Sequence, residues 1–132
     1  MPDHGVHLSS LAGQYAIARL PPEAPIPAAL QQAPPTGTYI SITRTPQELS
    51  IVCPVDLAPP GSTIDAGWIA FYASGPIPFG QTGVVTALVR PLSAAGCPVF
   101  VTSTFDGDVV MVPAAREGEA RTLLAAAGHI LT

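Results

Sequence analysis

The sequence contains no lysine, and its five basic residues are all arginines: Arg19, Arg44, Arg90, Arg116 and Arg121. They are scattered, so no basic stripe exists to neutralise a run of phosphates. The formal net charge of −4 likewise argues against nucleic acid as a partner. Cysteine is equally scarce. Cys53 and Cys97 each stand at an apolar strand edge, which reads as two reduced, buried thiols rather than a disulfide framework. No apolar run approaches the roughly 18 residues that a membrane helix needs, and no basic stretch followed by an apolar one opens the chain. A soluble, cytoplasmic protein is expected, with no membrane partner. Phosphate-cradling Gly-Lys-Ser/Thr loops and dinucleotide fingerprints are also missing, so no cofactor is expected.

What the chain has instead is apolar material, 48% of 132 residues against 11% charged. That length suits one domain or two very small lobes. So little charge leaves apolar surface for a second subunit to cover, and a homodimer is expected.

One plan is written twice. Gly13-Gln14-Tyr15-Ala16-Ile17-Ala18 is answered by Gly67-Trp68-Ile69-Ala70-Phe71-Tyr72. Pro25-Ile26-Pro27 is answered by Pro76-Ile77-Pro78, and Leu49 to Pro54 by Val109 to Pro113. A repeated unit that cannot bury its own face implies a partner copy. The division expected is a poorly held terminus over 1–12, a first unit over 13–66 and a second over 67–132. His4 and His7 lie in that terminus with no acid or thiol cluster to complete a metal shell, so no metal is expected.

In the first unit, strands are predicted over Gln14 to Leu20, Thr38 to Thr43 and Leu49 to Cys53, with a short helix around Ala28 to Gln32 between prolines. Thr45-Pro46-Gln47-Glu48 carries capping chemistry and predicts a single helical turn inside a hairpin. A short strand is predicted near Thr63 to Asp65. The second unit predicts a strand over Trp68 to Ser74, a loop over Gly75 to Gly80 and a helix over Gln81 to Ala95. That helix should bury Val85, Leu88, Val89 and Leu92 and kink at Pro91. A hairpin through Phe105-Asp106-Gly107, a helix over Glu117 to Ala127 facing Ala120, Leu123, Leu124 and Ala127 inward, and a closing strand complete it. The fold class is α+β: two ferredoxin-like βαββαβ units, the first with its second helix reduced.

Two places can carry chemistry. The helix start near Gly80 and Gly83 offers unpaired N–H groups to a carboxylate, though a plain strand–helix connector reads the same way. The hairpin carboxylates Asp106 and Asp108 can hold a cationic group; Asp106 suits a turn former, whereas Asp108 opens an apolar strand where a carboxylate is disfavoured. Catalysis finds no nucleophile–base–orienter set, and Asp108 or His129 as a hydrolase residue ranks below binding.

The segments Gln14 to Leu20, Thr43-Arg44-Thr45-Pro46-Gln47-Glu48-Leu49-Ser50-Ile51-Val52-Cys53-Pro54, Phe79 to Val85 and Ser103 to Asp108 resemble the small bacterial ACT-domain proteins related to the CASTOR arginine sensors. Their tandem ACT units are in turn similar to the regulatory region of aspartate kinases. The resemblance implies two ACT units and non-enzymatic sensing of a small molecule, an amino acid. The ligand α-carboxylate would meet backbone N–H groups at Gln81, Thr82, Gly83 and Val84. Thr104, Phe105 and Asp108 would contact its amino group or side chain, and Ser41 and Thr43 would stand on the facing copy. Two residues depart from the pattern: Pro78, which narrows the loop before Phe79, and Gln81, which stands where an acidic residue would suit a cationic ligand and so argues against arginine. The alternative is a structural or protein-interaction ACT module with a degenerate pocket.

Overall fold

The computed structural model describes residues 5–74 and 83–132. The elements among them are β1 (His7–Ser10), β2 (Tyr15–Leu20), β3 (Ser41–Arg44), β4 (Leu49–Pro54), β5 (Thr63–Ala73), α1 (Val84–Ala94), β6 (Phe100–Ser103), β7 (Asp108–Pro113), α2 (Glu117–Ala126) and β8 (Ile130–Leu131). This is a mixed α+β chain with a ferredoxin-like plan. The loop expected over 75–80 and the helix start expected at Gln81 and Thr82 lie outside the described residues.

The chain divides into two compact units. Leu11–Trp68 form the smaller, and Met1–Ser10 with Ile69–Thr132 the larger. β5 is long enough to serve both: its first half pairs with β2, and Phe71 to Ala73 pair with β1. The two strands expected near Thr63 and from Trp68 are therefore one.

In the smaller unit the strands run β3-β4-β2-β5, all antiparallel neighbours. Both helices of the plan have shrunk to 3-10 turns, Ala28–Leu30 and Val55–Leu57. Proline on either side explains this, because each turn is entered from an extended proline, Pro27 or Pro54. The core consists of Ala18, Leu30, Leu49, Ile51 and Cys53, with Ile26, Ile40, Ile42 and Leu57 packed against it. Alternation along β2 and β4 puts Ala18, Leu49, Ile51 and Cys53 inward, and leaves Arg19 and Ser50 on the opposite face. The Thr45 signature makes a tight bend instead of a helical turn. Its Oγ1 accepts from the N–H of Gln47 and of Glu48, and β4 starts at the next residue, Leu49.

In the larger unit, β7 pairs with β5 and with β6, while β1 lies between β5 (antiparallel) and β8 (parallel). The stretch read as a poorly held terminus thus contains a strand whose Leu8 is only 1% exposed. Leu8, Phe71, Leu88, Leu92, Val110, Val112, Ala120 and Leu124 form the core. Each large apolar side chain buried there contributes about 1.5–3 kcal/mol. On α1 the buried stripe is Leu88 and Leu92 with Val84 packed beside them, whereas Val85 is exposed at 40%. Leu88 and Leu92 are buried as the sequence pattern expects, and the stripe differs at its first position, where Val84 packs in place of Val85. The helix continues through Pro91 to Ala94. α2 buries Ala120 and Leu124 as expected, but Ala127 is exposed and serves as its C-cap.

Cys53 and Cys97 are free, buried and in different units. Burial pushes both thiols up from their ordinary value; for Cys97 the neighbouring Arg116 partly opposes this. A raised thiol stabilises the fold below the ordinary value of about 8.5 and loses that contribution as pH climbs through the folded value. Native protein at pH 8 is expected to react with a maleimide only as fast as it opens, and its melting temperature is expected to fall above about pH 9. Labelling of either cysteine at the rate of a free thiol would contradict this burial.

Candidate functional site

Two local structures of the larger unit gather most of the candidate residues. The first is the start of α1. Gly83 is the N-cap, with φ +83°, and no side chain caps the helix. A side chain in that left-handed conformation would be strained, which accounts for glycine there. The N–H groups of the first turn, from Val84 onward, therefore have no side-chain partner at the cap and carry the positive end of the helix dipole.

The second is the β6–β7 hairpin. Its turn is held by one side chain. Thr104 Oγ1 donates to the Gly107 carbonyl at 3.0 Å and accepts the Gly107 N–H at 3.1 Å, while the Thr104 N–H donates to the same carbonyl at 2.8 Å. The Thr104 hydroxyl is thus engaged in building the turn. Phe105 stands at the tip, 77% exposed. Asp108 opens β7 and is only 6% exposed, with Ser103 Oγ donating to its Oδ1 at 2.6 Å. The partner follows from strand register, since Ser103 and Asp108 face each other across the antiparallel pair. A carboxylate this buried is costly unless it meets hydrogen-bond donors or a cation.

Sequence reasoning missed Gly107. A Cβ built there would lie 2.2 Å from the carbonyl oxygen of Ala73 and 3.3 Å from Tyr72 Cε1. The hairpin turn is therefore seated on the end of β5, the strand that leads toward α1. The Phe-Asp-Gly triplet was read as turn chemistry alone, and a local turn signal says nothing about the strand lying beneath it. Ser103 was likewise passed over, although its spacing from Asp108 across a hairpin was available.

Ser41 and Thr43 lie on β3, in the smaller unit, opposite Val52 and Ser50 of β4. Gln81 and Thr82 fall outside the described residues. Among the described residues no group of three or more His, Cys, Asp or Glu is placed to hold a metal ion. No described helix is long and apolar enough to cross a membrane.

Comparison with known proteins places this architecture. The ACT-domain family model matches residues 63–126, from the start of β5 through α2. A second model, described only as an N-terminal domain, matches residues 13–60. No protein of curated function matches the sequence. Among solved structures, a structural-genomics protein from Agobacterium tumefaciens is 42% identical, with 98% of this chain and 94% of that one covered and a TM-score of 0.88. The regulatory subunit of aspartate kinase from Thermus thermophilus, in its ligand-free form, shares the fold at 16% identity and TM-score 0.59, covering 88% of this chain and 93% of its own. Aspartate kinase from Clostridium acetobutylicum does so at 10% identity and TM-score 0.63, over 91% of this chain and 34% of the kinase. The chain belongs to the same family as the Agobacterium tumefaciens protein, and it carries an ACT domain.

Proposed function

We propose that this protein is a non-enzymatic regulatory ACT module that binds a small molecule, an amino acid, in the larger unit. The observation that carries the reading is Asp108: a carboxylate 6% exposed, held by Ser103, beside a hairpin turn seated on the end of β5. A buried carboxylate suits a ligand ammonium group, and the uncapped N–H groups at Gly83 and Val84 suit a ligand carboxylate. Gln81 and Thr82, read from the sequence, extend that carboxylate site, and Phe105 at the hairpin tip supplies an apolar contact. The two units are read as tandem ACT units of the CASTOR-related kind, and the protein as a cytoplasmic homodimer.

Thermal-shift measurements against the twenty amino acids test this. A ligand at 100 times its Kd stabilises by about 2.7 kcal/mol, a rise of several degrees for a chain of this size. Asp108→Asn keeps the shape and the Ser103 contact while removing the charge, and is expected to weaken the responding amino acid about tenfold or more. Ser41→Ala and Thr43→Ala ask whether the smaller unit takes part. If no amino acid at millimolar concentration moves the melting temperature, the reading fails for this ligand class.

A further inference from the structure

The smaller unit has a sheet face that none of the candidate ligand chemistry above uses. Strand register aligns Thr43, Ser50, Arg19 and Thr63 across β3, β4, β2 and β5, with Val52, Ile17 and Asp65 in the next row. A groove of about 240 Å³ lies on this face, lined by Ile17, Arg19, Glu48, Ser50, Thr63 and Asp65 among others. The opposite face carries the apolar core of the unit.

Three charges stand in this groove and they are not paired with one another. Arg19 is exposed and makes no hydrogen bond or ion pair with any described residue. Its cross-strand neighbours on both sides are hydroxyl residues, Ser50 and Thr63, so the guanidinium is left un-neutralised in the centre of the sheet. Asp65 sits on the diagonal, where side-chain roots are about 7–8 Å apart. Its Oδ1 accepts from Trp68 Nε1 at 3.2 Å, which turns the carboxylate toward Trp68. Glu48 is rooted in the Thr45 bend, its N–H donating to Thr45 Oγ1 at 3.2 Å and its carbonyl accepting the Thr45 N–H at 2.9 Å. Two carboxylates, Asp65 held by Trp68 and Glu48 carried on the Thr45 bend, therefore stand on either side of one unengaged guanidinium over a lining of hydroxyls and the Ile17 side chain.

The geometry points to a second binding site on this face, one that takes a small zwitterion, its carboxylate on Arg19 and its ammonium on Asp65. Neither charge alone suffices, because an anion meets two carboxylates and a cation meets the guanidinium. A molecule carrying both, separated by several carbons, fits the diagonal spacing. This inference does not depend on the hairpin site, since the groove lies wholly within the smaller unit.

Amide chemical-shift titration of the full chain tests it, with 5-aminopentanoate as probe and glycine as a short zwitterion. Pentanoate and pentylamine are the half-ligands. Saturable shifts at Arg19, Ser50, Thr63 and Asp65 below about 20 mM are expected with 5-aminopentanoate, weakened about tenfold in either half-ligand. Arg19→Gln and Asp65→Asn, both at exposed positions, are each expected to remove the saturation, and Asp108→Asn to leave it unchanged. Half-ligands binding as well as the zwitterion, saturation that survives Arg19→Gln, or no saturation in the groove would overturn the site. Shifts confined to residues 103–108 would support the hairpin site and count against this one, so the two readings fail separately.

Discussion

Replacing His129 with alanine is expected to destabilise the protein by about 3 kcal/mol, more than any single hydrogen bond would suggest. The imidazole is 6% exposed and bridges two backbone groups, the N–H of Val6 and the carbonyl of Ala87. Its Nδ1 accepts the N–H of Val6, at the entrance to β1, at 3.1 Å, so the proton sits on Nε2 and is donated to the carbonyl of Ala87 at 2.8 Å. Ala87 lies four residues before Pro91. A proline has no N–H to give to that carbonyl, and this is why an interior proline ordinarily costs a helix about 3 kcal/mol. In α1 the histidine supplies the missing donor from outside the helix, and the helix continues through Pro91.

A double-mutant cycle isolates this link. Pro91→Ala restores an N–H to the helix, so it is expected to recover about 1 kcal/mol more in the His129→Ala background than in the natural chain. Urea unfolding of the four proteins measures it. Additivity of the two changes within about 0.5 kcal/mol would show that His129 and Pro91 act independently, contrary to this account.

Gly107→Ala is expected to cost about 2–3 kcal/mol and to abolish any ligand response that depends on the hairpin. The added methyl would stand 2.2 Å from the Ala73 carbonyl oxygen, and that neighbour is backbone within β5. It cannot rotate away as the end of a flexible side chain can, so the turn must lift off the strand and carry Asp108 with it. Gly107 does not have positive φ, so lack of space alone forbids the side chain. Gly118→Ala is the control. It lies exposed in α2 with nothing within 4 Å of the added atom, and the same chemical change there is expected to stabilise by about 0.5–1 kcal/mol. Chemical denaturation of both variants gives the two signs, and a neutral Gly107→Ala would mean the hairpin is not seated as described.

Local signals carried a good part of the fold. The alternation in Tyr15–Leu20 and Leu49–Pro54 marked strands that are antiparallel partners residue by residue. The apolar spacing of α2 marked Ala120 and Leu124, both fully buried. Asp108 could be singled out because a carboxylate opening an apolar strand is improbable without a local reason. The stripe on α1 was harder to read, because an all-apolar start such as Val84-Val85 offers two neighbouring registers. Only the sheet beneath selects between them, burying Val84 partly and exposing Val85.

The least legible features come from residues far apart in sequence. His7–Ser10 has no period to announce a strand, yet it lies between β5 and β8 because each of those strands has an open edge there. His129 read as a lone histidine before a terminal strand, and nothing near it in sequence names Ala87 or Val6 as partners.

The amino-acid sequence by itself determined the α+β class and the strands Tyr15–Leu20 and Leu49–Pro54. Composition, charge and strand period depend only on neighbouring residues. Tertiary structure decided that both helices of the smaller unit collapse to 3-10 turns, that β5 serves both units, and that Gly107 is pressed against Ala73. Those outcomes turn on backbone groups finding partners and space across the chain, and no local pattern encodes which distant group will be there.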